Sequence, residues 1–291
     1  MLVLFADTDT DITPEIAKEY GYHLISMPYS IDGETTYPYE DFEKFDAHEF
    51  YDRLRSGVLP NTSAISAERY KDYFEPHFKN GDDILYVHFS TAMSATFEAM
   101  KSAVDELKQK YPERKFYTID TKAITILSLN IIEEIGELYK SGKTIEEILE
   151  WAEKEVDHYA VYFFADDLKF FKHSGRVSGL AGTMGTLLGI RPIIYINEEG
   201  KMVSVGKEKG RAKALAKLIN YVELLGDEID KHRVIVAHTD APGLAQELIN
   251  MLKEKFGENL NIQLVDVNPT AGSHCGPSTV GVSFYARSRS V

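Results

Sequence analysis

The apolar positions in the first half of the chain follow two spacings, one typical of strands and one typical of helices. Short apolar runs predict strands at residues 2–6, 23–31, 84–89 and 116–119. Between these runs, apolar residues three or four positions apart predict helices that begin at Pro14 or lie near residues 47–54, 67–78, 94–110 and 125–156. Strands that alternate with helices in this way are typical of a mainly parallel sheet.

The residues at the ends of these segments agree with the predicted helices. Thr13 is a favourable N-cap, and Pro14 follows at the first helical position, where no backbone N–H is needed. Gly81 follows the predicted helix at 67–78, and glycine commonly ends a helix in the left-handed conformation.

The pattern changes after an apolar run at residues 160–165. A glycine-spaced segment at 175–189 leads into two apolar runs, 191–196 and 201–205, which predict an antiparallel hairpin with a polar turn between them. Further segments predict helices at 211–225 and 244–256 and strands at 234–238, 262–267 and 281–285. We therefore expect a mixed or antiparallel sheet flanked by helices in the second half.

A chain of 291 residues is long for one hydrophobic core, because chains of this size commonly divide into two domains. The change in pattern predicts an N-terminal α/β domain at residues 1–160 and a C-terminal α/β domain at 161–291. The predicted fold class is α/β, with a mainly parallel Rossmann-like sheet in the first domain and a mixed or antiparallel sheet in the second.

The composition excludes several classes of protein. Hydrophobic residues make up 44% and charged residues 27%, and no apolar run is long enough to cross a bilayer, so we expect a folded chain with no integral membrane span. The 46 acidic and 32 basic residues give a net charge of −14, which disfavours nucleic acid binding. The single cysteine, Cys275, cannot form an internal disulfide, and the first residues do not resemble a secretory leader, so we expect a cytoplasmic protein.

Three aspartates, Asp7, Asp9 and Asp11, follow the first predicted strand, in a pattern similar to that of haloacid dehalogenase phosphotransferases. In a Mg²⁺-dependent enzyme of that type, Asp7 would be the nucleophile, Asp9 the acid/base, and Asp166-Asp167 a second acidic pair. The alternative, which we favour, is that the three aspartates are turn and cap residues ahead of the helix at Pro14.

Two hydroxyl-rich loops each precede a predicted helix, one at residues 61–66 and one at 88–96. Free N–H groups at a helix N-terminus favour an anion, and neutral hydroxyls add donors without adding charge. A carboxylate or a phosphate would suit such a site. Taken singly, Ser66 and Ser94 are also ordinary N-cap residues, and both interpretations remain open at this point.

Other motifs are absent or weak. No G-x-S-x-G elbow surrounds Ser90 or Ser94, so a serine hydrolase is disfavoured, and the histidines are too widely spaced for a predicted metal site. The spacing of Gly179, Gly182 and Gly185 fits neither the G-x-G-x-x-G pattern of dinucleotide-binding proteins nor a P-loop. We interpret these glycines as small residues that let a helix pack closely.

Read in order, eight motifs resemble the DegV family of bacterial fatty-acid-binding proteins, the lipid-carrying subunits of fatty acid kinase. They span nearly the whole chain. They are Asp7-Thr8-Asp9, Met27-Pro28 in the second predicted strand, Thr62-Ser63-x-x-Ser66, His88-x-Ser90-x-x-x-Ser94-x-Thr96, the segment 168–178 with Gly175-Arg176, Arg191-Pro192-Ile193-Ile194, Gly210-Arg211 and His274-x-Gly276-Pro277. The order of the motifs makes the resemblance specific, although each alone is common.

The resemblance implies two α/β domains that hold one long-chain fatty acid between them in an apolar tunnel. It implies that Thr62, Ser63, Ser94 and His274 lie at the fatty acid carboxylate, and that Arg176 and Arg211 face the partner or the phosphate. The carrier would not itself be an enzyme and would need no cofactor, because a separate fatty acid kinase catalytic subunit would phosphorylate the presented carboxylate.

The sequence departs from the family pattern at three places. It has Asp7-Thr8-Asp9 where the family commonly shows Asp-Ser, Ser94-Ala95-Thr96 in place of Ser-Gly-Thr, and His173-Ser174-Gly175 in place of a Gly-Gly pair. We expect the last two to change backbone freedom more than ligand chemistry.

Overall fold

The computed structural model describes residues 1–178 and 189–290. The strands are β1 (Leu2–Asp7), β2 (Tyr22–Ile25), β3 (Tyr29–Ile31), β4 (Glu34–Thr36), β5 (Asn61–Thr62), β6 (Asp83–His88), β7 (Phe116–Asp120), β8 (Tyr159–Phe164), β9 (Val177–Ser178), β10 (Ile190–Ile196), β11 (Met202–Lys209), β12 (Val234–His238), β13 (Ile262–Asp266) and β14 (Val280–Tyr285). The helices are α1 (Pro14–Tyr20), α2 (Ala47–Arg55), α3 (Ala67–Asn80), α4 (Thr96–Lys110), α5 (Thr125–Lys140), α6 (Ile145–Glu155), α7 (Lys169–Ser174), α8 (Arg211–Leu225), α9 (Pro242–Phe256) and α10 (Pro269–Cys275). A 3₁₀ turn, Thr8–Thr10, follows β1.

The first sheet has four parallel strands in the order β2-β1-β6-β7. Its two faces are both covered, as expected for a parallel sheet, with α3 and α4 on one side and α1 and α5 on the other. Because the strands are parallel, the acidic turn after β1 and the hydroxyl-rich loop after β6 lie at the same edge of the sheet.

The second sheet has seven strands in the order β13-β12-β14-β8-β10-β11-β9. The β12–β13 and β11–β9 pairs are parallel, and the other four pairs are antiparallel. Helices α8 and α9 pack on one face of this sheet in a separate apolar core. The predicted fold class, with one parallel and one mixed sheet, is confirmed.

Helix α5 lies between the two sheets and joins their cores. It contacts β8, β12 and β14 of the second sheet and the 3₁₀ turn at the edge of the first. Ten of its residues are buried, including both Leu127 and Ile131 on one side and Leu129 on another. A helix with buried apolar residues on opposite sides must be enclosed on both, which explains why it is central.

A small third sheet, in the order β4-β3-β5, brings residues 61 and 62 beside β3. It corrects the prediction of one continuous strand at 23–31, because β2 ends at Ile25 and β3 begins at Tyr29, with Met27-Pro28 in the break. Proline has no N–H for a ladder, and the Met27 main chain instead bonds the hydroxyls of Thr8 and Thr270. The sequence analysis also missed α7 and α10, which are too short to show a helical period.

Capping residues explain where several helices begin and end. The Thr13 hydroxyl accepts a hydrogen bond from the Ile16 amide, and Gly81 ends α3 with a φ of 90°, as predicted. The helices predicted over 125–156 are α5 and α6, which separate where Gly142 adopts a φ of 83° and Thr144 starts α6 with a capping box to Glu147.

One sequence prediction falls on residues that are not described. Most of the glycine-spaced segment, including Gly179, Gly182 and Gly185, lies outside the described residues. Within residues 1–178 and 189–290, no helix has both the length and the apolar character needed to cross a membrane.

Candidate functional site

An internal cavity lies between the two sheets and takes its lining from both halves of the chain. It holds about 1160 Å³ of empty space when its open mouth is included. Apolar side chains from α5 and from four strands of the second sheet form much of its wall, and they include Ile126, Val161, Phe163, Ile196, Met202 and Ala237. Strand alternation explains this wall, because every second residue of a strand faces α5 and the cavity.

Besides three threonines, Thr125, Thr270 and Thr279, six polar residues line this cavity, and we refer to these six as the polar cluster. They are Asp9, Thr62, Ser63, Ser94, Arg176 and His274. Ser94 and Arg176 also line a more open groove that adjoins the cavity, which places them at its mouth. Every residue that was predicted to bind a carboxylate therefore contributes to one cavity, together with one of the two predicted arginines.

Thr62 and His274 are 212 residues apart in sequence and meet in the polar cluster. The Thr62 hydroxyl and His274 Nε2 are 3.0 Å apart, within hydrogen-bonding distance. Burial and, to a smaller extent, the nearby charge of Arg176 lower the pKa of His274 to about 4, so the imidazole is neutral at pH 7. The other ring nitrogen, Nδ1, is buried and has no hydrogen-bond partner among the described residues.

Helix α10 carries His274 and is held firmly at its start. The Asn268 side chain accepts a hydrogen bond from the Ala271 amide, and Asp11 in turn accepts two hydrogen bonds from Asn268. The acidic turn of the first sheet therefore positions the helix that presents His274. Asp11 therefore supports the N-cap residue of α10, whereas Thr13 caps the helix at Pro14 and Asp7 caps the 3₁₀ turn.

The two hydroxyl-rich loops combine capping and cavity-lining roles. Ser66 caps α3 through a 3.2 Å hydrogen bond from the Arg69 amide, and it does not line the cavity. Ser94 accepts a hydrogen bond from the Thr96 amide at 3.2 Å, ahead of α4, and is half-buried in the cavity wall. The capping interpretation therefore suffices for Ser66, whereas Ser94 is available to a ligand.

The two predicted arginines have different surroundings. Arg176 is exposed, follows α7 and lines both the cavity and the adjoining groove. Arg211 begins α8 and forms an ion pair with Asp166, which also pairs with Arg191 at 2.5 Å. Arg211 does not line the cavity. Burial alone would raise the pKa of Asp166, but the ion pairs with Arg211 and Arg191 bring it below its usual value.

The acidic residues do not form the arrangement that a phosphotransferase requires. Asp7 is fully buried, and its two carboxylate oxygens accept hydrogen bonds from the Tyr86 hydroxyl and from the amides of Asp9 and Phe89. A nucleophile enclosed in this way cannot reach a phosphate. Asp166, the proposed second acid, is engaged by two arginines elsewhere.

The sequence analysis did not find the apolar wall or the role of Asp9 in it. The alternation of β8 and β12 predicts which residues share a face, but many such faces are simply core. The signal that could have found the wall is a pair of small residues, Ala237 and Gly281, which lie opposite each other on β12 and β14 beside the largely buried helix α5.

The fold and the site thus define an α/β protein with two large sheets, an apolar internal cavity and polar groups at the mouth of that cavity. The chain belongs to the DegV family, since a family model described as "Uncharacterised protein, DegV family" matches residues 1–287. A DegV domain-containing protein of Clostridium perfringens is 31% identical over 282 residues, which cover 97% of this chain and 96% of the relative. The family resemblance seen in the sequence is confirmed.

Solved structures of similar proteins share the fold. A protein of Thermotoga maritima, described as a DegV lipid binding protein, has a TM-score of 0.82 at 24% identity and covers 99% of both chains. DegV of Bacillus subtilis, described as a fatty acid binding protein, has a TM-score of 0.82 at 21% identity, covering 98% of this chain and 99% of the other. A stearic acid-binding protein of Eubacterium ventriosum has a TM-score of 0.85 at 19% identity, covering 99% of both.

Proposed function

We propose that this protein binds one long-chain fatty acid in the internal cavity, with the carboxylate at Thr62, Ser63, Ser94 and His274. The observation that carries the proposal is that one cavity has both an apolar wall and a polar cluster, of which Ser94 and Arg176 reach the mouth. An amphipathic molecule with a small polar head and a long apolar tail matches this division.

The apolar wall supplies most of the expected affinity. Burial contributes about 0.8 kcal/mol per methylene, so a dozen methylenes contribute on the order of 10 kcal/mol before the cost of association. A methylene group is similar in size to a water molecule, whose share of liquid volume is ~30 Å³, so a 16-carbon chain needs roughly 500 Å³. The cavity and its mouth hold that much space.

The polar cluster suits a carboxylate head group. Hydroxyl groups and a neutral imidazole can each donate a hydrogen bond to it, and the cluster carries a guanidinium at the mouth. The similarity in fold to proteins described as binding fatty acids supports the same ligand class.

We further propose that the protein acts as a cytoplasmic carrier. In this function it presents the carboxylate to the catalytic subunit of a fatty acid kinase, which forms the acyl-phosphate, and the carrier itself supplies no catalytic residue. The support is the position of Ser94 and Arg176 between the cavity and the open groove, where a bound head group is reachable from outside. Arg211 is proposed to contact the same partner from the surface beside Asp166.

Purified protein is expected to carry roughly one long-chain fatty acid per chain, because a ligand with this much buried apolar surface dissociates slowly. Solvent extraction followed by mass spectrometry measures the stoichiometry. Adding fatty acid to delipidated protein should raise the melting temperature, since the ligand binds only the folded state. Protein with no extractable lipid and no thermal response to fatty acids would exclude the proposed function.

Arg176→Ala and Arg211→Ala are each expected to leave the fatty acid dissociation constant within about 1 kcal/mol of wild type, because exposed charges are screened by solvent. Both should sharply lower acyl-phosphate formation by a purified fatty acid kinase catalytic subunit. Binding and phosphorylation are measured on the same preparations.

Lys154→Ala is the matched control for this pair of variants, because it removes an exposed cation that pairs with Glu150 outside the cavity lining. If fatty acid binding collapses in an arginine variant while phosphorylation per bound lipid stays normal, that arginine is a carboxylate ligand rather than a partner contact.

A further inference from the structure

Asp9 is a buried carboxyl group in the wall of the internal cavity. It lies in the 3₁₀ turn after β1, and only 7% of its surface is exposed. Its Oδ1 atom has no hydrogen-bond partner among the described residues, although the side chain lines the cavity. Buried polar atoms are nearly always paired, so we expect a molecule in the cavity to supply the partner.

Asp9 is one of three buried aspartates in a single turn, and hydrogen bonds distinguish it from the other two. Asp7 accepts three, from the Tyr86 hydroxyl and two backbone amides, at 3.0–3.1 Å. Asp11 accepts two from Asn268, at 2.7 and 2.8 Å. Donors stabilise an ionised carboxylate, and Asp9 has none among the described residues. The neutral, protonated form is therefore favoured most at Asp9.

The charges around Asp9 also favour its neutral, protonated form. Burial raises the pKa of Asp9 well above its usual range, the charges of Asp7 and Asp11 raise it further, and Arg176 lowers it by less. Three titratable residues besides Asp9 line the cavity, Arg176, His274 and Cys275, and three more interact with Asp9 from behind its wall, Asp7, Asp11 and Tyr70. Arg176 is the one permanent cation in this described set, and it also lies near His274.

We propose that Asp9 contacts the bound fatty acid as a neutral carboxylic acid and donates a hydrogen bond to the ligand's carboxylate, so that binding weakens when Asp9 ionises. This inference rests on the proposed function, because it needs a carboxylate in the polar cluster. A hydrogen bond from a neutral acid to a carboxylate is charge-assisted and short. An ionised Asp9 would instead hold a second negative charge beside the ligand.

The direction of the pH dependence follows from this contact. Below the Asp9 pKa the donor proton is present and affinity is high, and above that pKa each further pH unit lowers affinity by about tenfold. The ligand carboxylate stays ionised between about pH 6 and 9.5, and His274 stays neutral there. Burial raises the pKa values of Asp7 and Asp11 to about 7, so their titration also contributes to the pH dependence, and Asp9→Asn retains both groups.

The test is the dissociation constant of palmitate, measured from about pH 6 to 9.5 on delipidated wild-type protein and on Asp9→Asn. Asparagine has the same shape, keeps a donor and does not ionise. Wild-type affinity should fall with rising pH more steeply than that of Asp9→Asn, and at the high end the variant should bind more tightly. Hexadecanamide, which has no carboxylate, should show no such difference between the proteins.

Asp9→Leu separates the donor from the charge, since leucine provides neither. The Asp9→Leu variant should show the same shallow pH dependence as Asp9→Asn. Its palmitate affinity should be about 10- to 100-fold lower than that of Asp9→Asn, because the hydrogen bond is lost. Equal pH profiles for wild type and Asp9→Asn would overturn the inference while leaving the proposed function standing. Wild-type protein that binds no palmitate at any pH would overturn both.

Discussion

Replacing Thr62 and Ser94 together with alanine is expected to lower fatty acid affinity by at least ~100-fold. Each hydroxyl lines the mouth of the cavity, and a hydrogen bond to a charged carboxylate contributes about 1.5–3 kcal/mol. Thr62 also holds His274, so its loss frees the imidazole to turn away from the head group. Titration of delipidated protein with palmitate measures the effect.

Ser66→Ala is the matched control for this double variant. Ser66 is in the same loop as Thr62, but it caps α3 and does not line the cavity. Its loss should cost about 1 kcal/mol of unfolding free energy and leave palmitate affinity unchanged. If the double variant binds as tightly as Ser66→Ala, the two hydroxyls are ordinary loop residues and the head group lies elsewhere.

Ala237→Phe is expected to abolish most binding of long-chain fatty acids while leaving the protein folded. Ala237 is on the face of β12 that lines the cavity, whereas Val234 and Val236 face the separate core under α8 and α9. A phenylalanine side chain would extend into empty space and displace about five methylenes of the ligand, which is ~4 kcal/mol of lost burial.

Acids of different length make this prediction specific. A shorter acid such as decanoate should lose less affinity than palmitate in Ala237→Phe, because its tail ends before the new ring. Thermal unfolding without ligand should be unchanged or slightly raised, since the ring fills a cavity rather than a packed core. Unchanged palmitate affinity in a folded variant would place the tail outside the cavity.

Asp9 illustrates how a departure from a family pattern can alter ligand chemistry. A neutral hydroxyl offers a donor at every pH, whereas the Asp9 carboxyl in this turn offers one only while it is protonated. The structure places this acid beside two others that take the available donors. The pH dependence proposed for this chain therefore follows from one residue and its neighbours.

Much of the fold could be predicted from local patterns in the chain. Helix α8 (Arg211–Leu225) and strand β12 (Val234–His238) have the bounds that the spacing predicts, because each buries one face or both against a core. Where the local signal was weak, the prediction was wrong. Residues 23–31 alternate like a strand, yet the chain bends at Met27-Pro28 because the main chain there bonds two threonines from other elements.

The sequence by itself determined the fold class and the family, because apolar period and motif order are properties of the chain read in order. Only the tertiary structure decided which residues form the polar cluster, because contacts such as Thr62 with His274 join positions 212 residues apart. It also separated Arg176 from Arg211, since the partner of Arg211, Asp166, lies 45 residues away in sequence. The direction of the Asp9 side chain was likewise decided by packing, because hydrogen bonds from Tyr86 and Asn268 fix its neighbours and leave Asp9 at the cavity wall.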